Sequence, residues 1–365
     1  MNNLIQEEIP LKAGGQVPAP LLEAADAIMN GQDEVAAALL SSFEPADDIS
    51  RICAQAILGQ KKGADHIYLS GLTDKDKQIN VFDLVLQNVD SVRVATGTAF
   101  NMMRDFYSQG QRSFTHFNIG IGKGHFEVQL IKALAEGQKT LPSLIKMVGL
   151  DIDEYSLKEA GENISRAATQ YLPPDVKVEY TAICAFAEKV PEEMWEQLRE
   201  HETDSLGVIS AFTLHHLSAA RDRHKVLSNI AACRAGVFLQ IEPDVNHFTP
   251  DLRDRLVNCW THFGTLFKLI DQKGLQEVES NALKYLFFKR EIEDILSSDE
   301  SSRFEKHEDA PAWTERCKRA GFYLIDLPYQ VSEEIPGFTY HYGKGHIRMT
   351  YEEVPMVAVI MATLY

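Results

Sequence analysis

Apolar positions recur at three- and four-residue steps through the first part of the chain. Near Ser113 they switch to short β-rich runs separated by helical stretches. Leu21, Leu22, Ala25, Ile28 and Met29 form one helical stripe, which Asn30-Gly31 stops. Val35, Leu39 and Leu40 begin a second, and Ile49, Ile52, Ala56 and Ile57 a third. Further helical patterns cover 81–86 and 99–107. The spacing predicts a helical N-terminal cap over residues 1–110.

From Ser113 onward, β-rich runs at 114–119, 145–150, 176–180, 206–211 and 237–241 alternate with helical segments at 125–135, 154–171, 192–201 and 224–233. That rhythm predicts a parallel sheet with right-handed crossovers. A helical insertion, about 248–300, follows the fifth strand. Leu256, Trp260, Phe263, Phe267 and Ile270 lie on one of its stripes, and Leu283, Leu286, Phe287 and Ile295 on another. Two more strands, 321–327 and 355–365, predict an antiparallel pair at a sheet edge, joined by a polar Tyr/His-rich segment. The expected architecture is α/β. A Rossmann-like core over 111–365 has a seven-stranded sheet with its last strand antiparallel, the outline of a class I methyltransferase fold.

In such sheets ligands gather at the carboxyl ends of the strands, so the residues there carry the candidate chemistry. The segment THFNIGIGKGHFEVQLIKAL runs an apolar strand into Gly120, Gly122 and Gly124 and then into a helix. Glycines there suit either a ligand pressed on backbone amides or merely a tight strand-to-helix turn. Asp151 ends the next strand, where a carboxylate can accept from ribose hydroxyls or can serve as a turn residue, and Asp153 reads as a helix N-cap. Thr181–Phe186 offers small residues beside apolar ones for an adenine, although Cys184 is equally a buried, inert thiol. His215 and His216 open a helix after the fourth strand. Adjacent residues diverge on a helix, so one serves the site, the other packs, and no metal is expected. Glu242, Asp244 and His247 place three ionisable groups just after the fifth strand, a candidate for acid–base work or a charged loop.

Bulk properties narrow the partners. Net charge is −17, with 36 Lys and Arg against 53 Asp and Glu, and no basic block appears, so nucleic acid is not an expected partner. MNNLIQEEIPLK lacks the pattern of a secretory signal, and 355–365 is too short to cross a bilayer. The five cysteines are widely spaced without a C-x-x-C pair, which suits a reducing cytoplasm.

Taken together these segments resemble the GRAS family, specifically bacterial members that look like S-adenosylmethionine-dependent methyltransferases. PAPLLEAADAIMNGQDEVAAALLSSF resembles the first leucine-rich region, THFNIGIGKGHFEVQLIKAL the VHIID-type segment, and ISAFTLHHL the second leucine-rich region. IEPDVNHFTPDLRDRLVNCWTHFGTLFKLID is similar to the RVE-type segment, LFFKREIEDIL to PFYRE-type segments, and HEDAPAWTERCKRAGFYLIDLP to the start of the SAW-type region. Plant members of the family are transcriptional regulators whose VHIID segment usually lacks a clean glycine loop; this chain keeps G-x-G-x-G, and it lacks the terminal tryptophan of the SAW pattern.

The resemblance implies that Asn118, Gly120, Gly122, Gly124, Asp151, Ile152, Cys184, Ala185 and Phe212 hold S-adenosyl-L-methionine. It also implies that Asn246, Trp260, Phe263, Tyr285 and Arg290 face a small-molecule acceptor. His215 or His247 would act as base with Glu242 orienting it. The expectation is thus a cytoplasmic small-molecule methyltransferase, with a possible homodimer through the helical caps. The alternatives are a non-enzymatic GRAS-type regulatory module that binds a ligand or a protein and, less well matched, a nicotinamide-dependent oxidoreductase.

Overall fold

The computed structural model describes residues 16–59, 78–137, 140–297 and 300–364. The N-terminal segment read as lacking a secretory signal, and residues 60–77 of the predicted cap, lie outside the described residues.

Among the described residues five helices come first: α1 (Ala19–Met29), α2 (Asp33–Ser41), α3 (Asp48–Leu58), α4 (Gln78–Asn88) and α5 (Asp90–Tyr107). The Asp47 carboxylate caps α3 by accepting from Ser50 N–H at 2.9 Å. Then strands and helices alternate: β1 (Ser113–Ile119), α6 (His125–Gly137), β2 (Leu144–Asp151), α7 (Glu154–Tyr171), β3 (Lys177–Cys184), α8 (Glu192–Arg199), β4 (Ser205–Ala211), α9 (Ala220–Ala232) and β5 (Val237–Pro243). The insertion contains α10 (Leu252–Gln272), α11 (Glu277–Asn281), a π-helical stretch (Ala282–Phe288) and α12 (Lys289–Ser297). Helix α13 (Ala310–Arg319) and strands β6 (Phe338–Gly343), β7 (His346–Tyr351) and β8 (Val354–Ala362) complete the order.

The sheet is mixed and eight-stranded, ordered β3-β2-β1-β4-β5-β8-β7-β6. β1 to β5 pair in parallel, whereas β8 runs antiparallel to β5, β7 to β8, and β6 to β7. This corrects the seven-stranded expectation at its far edge. Residues 321–327 form no strand and contribute only the isolated bridges Tyr323–Thr363 and Asp326–Lys344. The Tyr/His-rich segment instead builds the β6–β7 hairpin around Lys344-Gly345, with Gly345 at φ +76°. Every position of β6 is at least partly exposed, so it carries no apolar run to signal a strand.

Each parallel strand feeds both faces of the sheet. Phe114 packs on one side, in the core that includes Met102, Met103 and Tyr107 of α5; Phe117 and Ile119 pack on the other, with Trp195, Leu227 and Trp313. Gly207 in β4 permits that approach: a Cβ there would lie 2.4 Å from the Tyr107 hydroxyl. Helix α3 packs on α10 and α12, and α1 on α10, so the N-terminal helices and the insertion form one helical layer. Arg253 of α10 and Asp26 of α1 pair across it. No helix among the described residues is long and apolar enough to cross a membrane.

Candidate functional site

The carboxyl ends of the parallel strands open into a hollow of about 250 Å³. Its floor is Ile119, Gly120 and Gly122 after β1, Leu150 to Asp153 after β2, and Ala211 to Thr213 after β4. Because β8 is antiparallel to β5, its first residues lie beside Pro243, and Met356 and Val357 join the wall. Helices roof it with Phe82 and Val85 of α4, Val92 of α5, Phe263 and Leu266 of α10, and Phe287 and Phe288 of the π-helical stretch. The lining is mostly hydrocarbon, which fits an apolar ligand body better than a charged one.

The glycine loop uses its own amides. Gly120 and Ile121 both donate to Leu150 O, at 2.8 and 3.1 Å, and Gly124 donates to Ile121 O at 3.1 Å. Gly122 N–H donates to Asp151 Oδ2 at 2.9 Å, and Asp153 N–H to Asp151 Oδ1 at 3.0 Å. Asp151 therefore staples the loop, and burial raises its pKa against the pull of those amides. An anion seeking backbone donors would compete with bonds already made. Gly120 is required by contact: at φ +85°, its Cβ would sit 2.1 Å from Thr213 Oγ1.

Phe212 turns the chain at φ +52°, an uncommon left-handed conformation for an aromatic residue, while its N–H donates to Ile241 O at 2.8 Å. That turn directs its ring to Phe82, with centroids 5.8 Å apart and planes at 64°.

One wall is polar. His215 Nδ1 lies 2.5 Å from Glu242 Oε2, and its Nε2 lies 3.3 Å from Glu305 Oε2. His216 Nδ1 is 3.5 Å from Glu305 Oε1, and His307 Nε2 is 3.2 Å from Glu305 Oε2. Glu242 also accepts from Leu214 N–H at 3.0 Å. Burial works against a charge on His215, but the Glu242 and Glu305 carboxylates outweigh it and hold its pKa at about 10. Burial drives His262 down to about 3 and lowers His307. Beneath them Arg223, fully buried, donates to His215 O at 2.9 Å and Lys306 O at 2.6 Å and pairs with Glu308.

Of the residues expected to hold the methyl donor, Gly120, Gly122, Asp151, Ile152, Ala185 and Phe212 line the hollow. Asn118 does not; its Nδ2 donates to Glu127 Oε1 at 2.7 Å beneath the loop. Gly124 lies against Ala160, permitting α6 and α7 to meet. Cys184 is exposed and borders an outer groove beside Tyr155 and Lys158 of α7. Among the acceptor residues only Phe263 lines the hollow. Trp260 is buried in the core, Tyr285 donates to Asp48 Oδ1 at 2.7 Å, Asn246 accepts from Phe248 N–H at 3.0 Å, and Arg290 lies outside the lining.

The expected acid–base group is arranged otherwise than anticipated. His215 meets a carboxylate at each nitrogen, which makes it a buried cation rather than a ready base. His247 does not line the hollow; its Nδ1 is 2.8 Å from His307 Nδ1, and its ring stacks on Phe263. Asp244 pairs with Arg348 at 2.6 Å.

Sequence reasoning missed Glu305, His307, His262, Glu291 and Phe82. Residues Arg303 to Glu308, RFEKHE, are rich in titratable side chains, yet Arg303, Glu305, Lys306, His307 and Glu308 are all buried. Asp294 Oδ2 accepts from both Phe304 N–H and Glu305 N–H, at 2.8 and 2.7 Å, and threads this segment through the interior.

A mixed sheet flanked by helices, with a roofed hollow at its strand ends, defines the class as α/β. The chain belongs to the GRAS domain family, whose model matches residues 109–352. It is 26% identical to DELLA protein 2 of Medicago truncatula over 223 residues, 60% of this chain and 41% of that protein. It is 22% identical to DELLA protein RGL3 of Arabidopsis thaliana, covering 66% of this chain and 48% of that one. GRAS family protein RAD1 of Medicago truncatula is 21% identical over 84% of this chain and 60% of its own length. The chain thus spans about half the length of these curated relatives. The solved structure of SCL7 from Oryza sativa superposes with a TM-score of 0.74 at 14% identity, over 94% of this chain and 98% of that chain, and shares the fold.

These findings correct the expectation of a bacterial-type methyltransferase using S-adenosylmethionine. The relatives are plant DELLA and GRAS proteins, and methyltransferase structures superpose only at TM-scores of 0.34–0.42, too low to carry that chemistry. The engaged loop amides and the doubly paired His215 agree with the correction.

Proposed function

We propose that this chain is a non-enzymatic regulatory module of the GRAS type, whose hollow holds a small, largely apolar molecule. One observation carries the reading: an apolar chamber lies at the strand ends, while the glycine loop and its acid are bonded to one another. Such a chamber favours a hydrocarbon body, with one hydrogen-bonding head turned toward the polar wall at His215, His216 and His307. Membership of a family that includes DELLA proteins supports a regulatory role rather than turnover. Occupancy would tie α4 and α5 to the sheet and to α10, so that the helical layer reports the ligand to a protein partner. The N-terminal cap over 1–110 and the core over 111–365 are proposed as the two parts that ligand joins.

Thermal unfolding with increasing 2-naphthol, an aromatic body with one hydroxyl, tests this. A ligand that binds only the folded state raises the midpoint in proportion to RT ln(1 + [L]/Kd). A concentration-dependent rise supports the chamber; an unchanged or falling midpoint contradicts it.

A further inference from the structure

The polar wall carries an inference independent of the chamber's apolar occupant. We infer that His215, His216 and Glu305 form a binding site for one divalent transition-metal ion of the zinc and cobalt class, facing the hollow.

The spacing suits ligands of one ion as well as it suits an ion pair. Donors held ~2.0–2.1 Å from zinc in a tetrahedron lie about 3.3 Å from one another. His215 Nε2 and His216 Nδ1 lie 3.3 and 3.5 Å from the two oxygens of Glu305. One donor atom from each of the three residues falls within 4.8 Å of the others. The divergence expected of adjacent histidines on an α-helix does not apply: Leu214–His216 is a 3-10 turn, and the two rings lie 4.0 Å apart with both facing Glu305.

The outer contacts match those that orient metal-bound imidazoles. His215 turns Nδ1 to Glu242 and leaves Nε2 for the ion, the carboxylate–histidine–metal arrangement that fixes tautomer and direction. A second group, Glu291, Glu305 and His307, shares Glu305 and satisfies the same distance criterion. His307 is held from behind by an imidazole instead of a carboxylate, its Nδ1 lying 2.8 Å from His247 Nδ1. Mixed imidazole and carboxylate donors select borderline divalent ions over calcium or magnesium. The carboxylates of Glu242, Glu291 and Glu305 supply negative charge to a dication in a buried place. The ion takes the position of the proton between His215 and Glu305. His215, His216 and His307 reach the hollow surface, so a water or a ligand head group can fill the remaining position.

Cobalt(II) titration of the chelator-treated chain, followed by visible absorption, tests the proposal. The expected result is a saturable d–d spectrum at one equivalent, displaced by zinc. His216→Ala should abolish it, and Glu242→Gln should weaken cobalt binding about 10- to 100-fold. Glu305→Gln should abolish it as well; should that variant not fold, His216→Ala decides alone, because its side chain is partly exposed. A featureless spectrum, or one that His216→Ala leaves unchanged, overturns the assignment. Persistence in His216→Ala with loss in His307→Ala also overturns it, by moving the ion to the neighbouring group.

Discussion

The ring of Phe82, on α4, meets the ring of Phe212 edge-on at 5.8 Å, joining the N-terminal helices to the end of β4 directly over the hollow. Phe82 also lies 6.0 Å from Phe287. The roof of the chamber is therefore closed by aromatic contacts among three segments distant in sequence. Edge-to-face pairs of this kind contribute about 0.5–1.5 kcal/mol beyond the area they bury.

Phe82→Ala should lower stability by about 1–3 kcal/mol, less than the ~3–5 expected of a fully buried phenylalanine, because Phe82 is only partly buried. Urea unfolding measures this. Amide exchange in α4 should accelerate in the same variant while exchange in β1 stays slow.

The glycine loop should respond unequally along its length. Gly120→Ala meets Thr213 at 2.1 Å and must hold a left-handed backbone, so it should cost about 2–5 kcal/mol. Gly122→Ala, at φ +53° with open space around it, carries only the backbone cost of about 1–2 kcal/mol. Equal losses in thermal or urea unfolding would contradict the contact at Thr213.

Arg223 holds the polar wall from below. Arg223→Met should destabilise the fold by about 3–5 kcal/mol, because it leaves buried acceptors unpaired. Arg316 still reaches Glu308, at 2.7 Å, which places the effect toward the lower end. Denaturant unfolding checks the magnitude.

The roof should also depend on pH through His125 and Asp83, which join α6 to α4 at 3.4 Å. The hydrogen bond to Asp83 raises the His125 pKa, and the bond to His125 lowers that of Asp83. The His125 contribution is therefore complete below its unfolded value near ~6.5 and disappears as pH rises through the raised folded value. The Asp83 contribution is present above ~3.9 and is lost as pH falls through the lowered folded value. The difference in melting temperature between the chain and His125→Ala should be largest between these limits and vanish at alkaline pH. Both groups are partly exposed, so added salt should shrink it.

The central strands of the parallel half were legible because they are short apolar runs buried on both faces, as at Phe114, Phe117 and Ile119 in β1; the edge strand β3, buried only at Ile183, was legible from its β-branched and aromatic residues. The β6–β7 hairpin escaped because β6 is at least partly exposed at every position and β7, though mostly buried, mixes polar residues with its apolar ones and forms no apolar run. The loop glycines and Asp151 were legible as a loop at the strand ends, but the sequence does not carry the contact by which Asp151 accepts the Gly122 amide itself. Arg303 to Glu308 stayed hidden for a different reason. Its charges are paired partly across the fold, Glu308 with Arg223 and Glu305 with His215 and His216, and partly with neighbours in the chain, Arg303 and Lys306 with Glu300 and Glu308 with Arg316. Composition sees only the charges, and so reads solvent where the fold places its interior.

Equilibrium titration with N-phenyl-1-naphthylamine, a neutral aromatic whose fluorescence rises in apolar surroundings, tests the chamber most directly. Saturable binding at one equivalent is predicted for the chain. Leu266→Trp and Val92→Phe, which fill the hollow from opposite helices, should each weaken it strongly while the protein remains folded. No saturable signal, or a signal that both substitutions leave intact, would contradict the account.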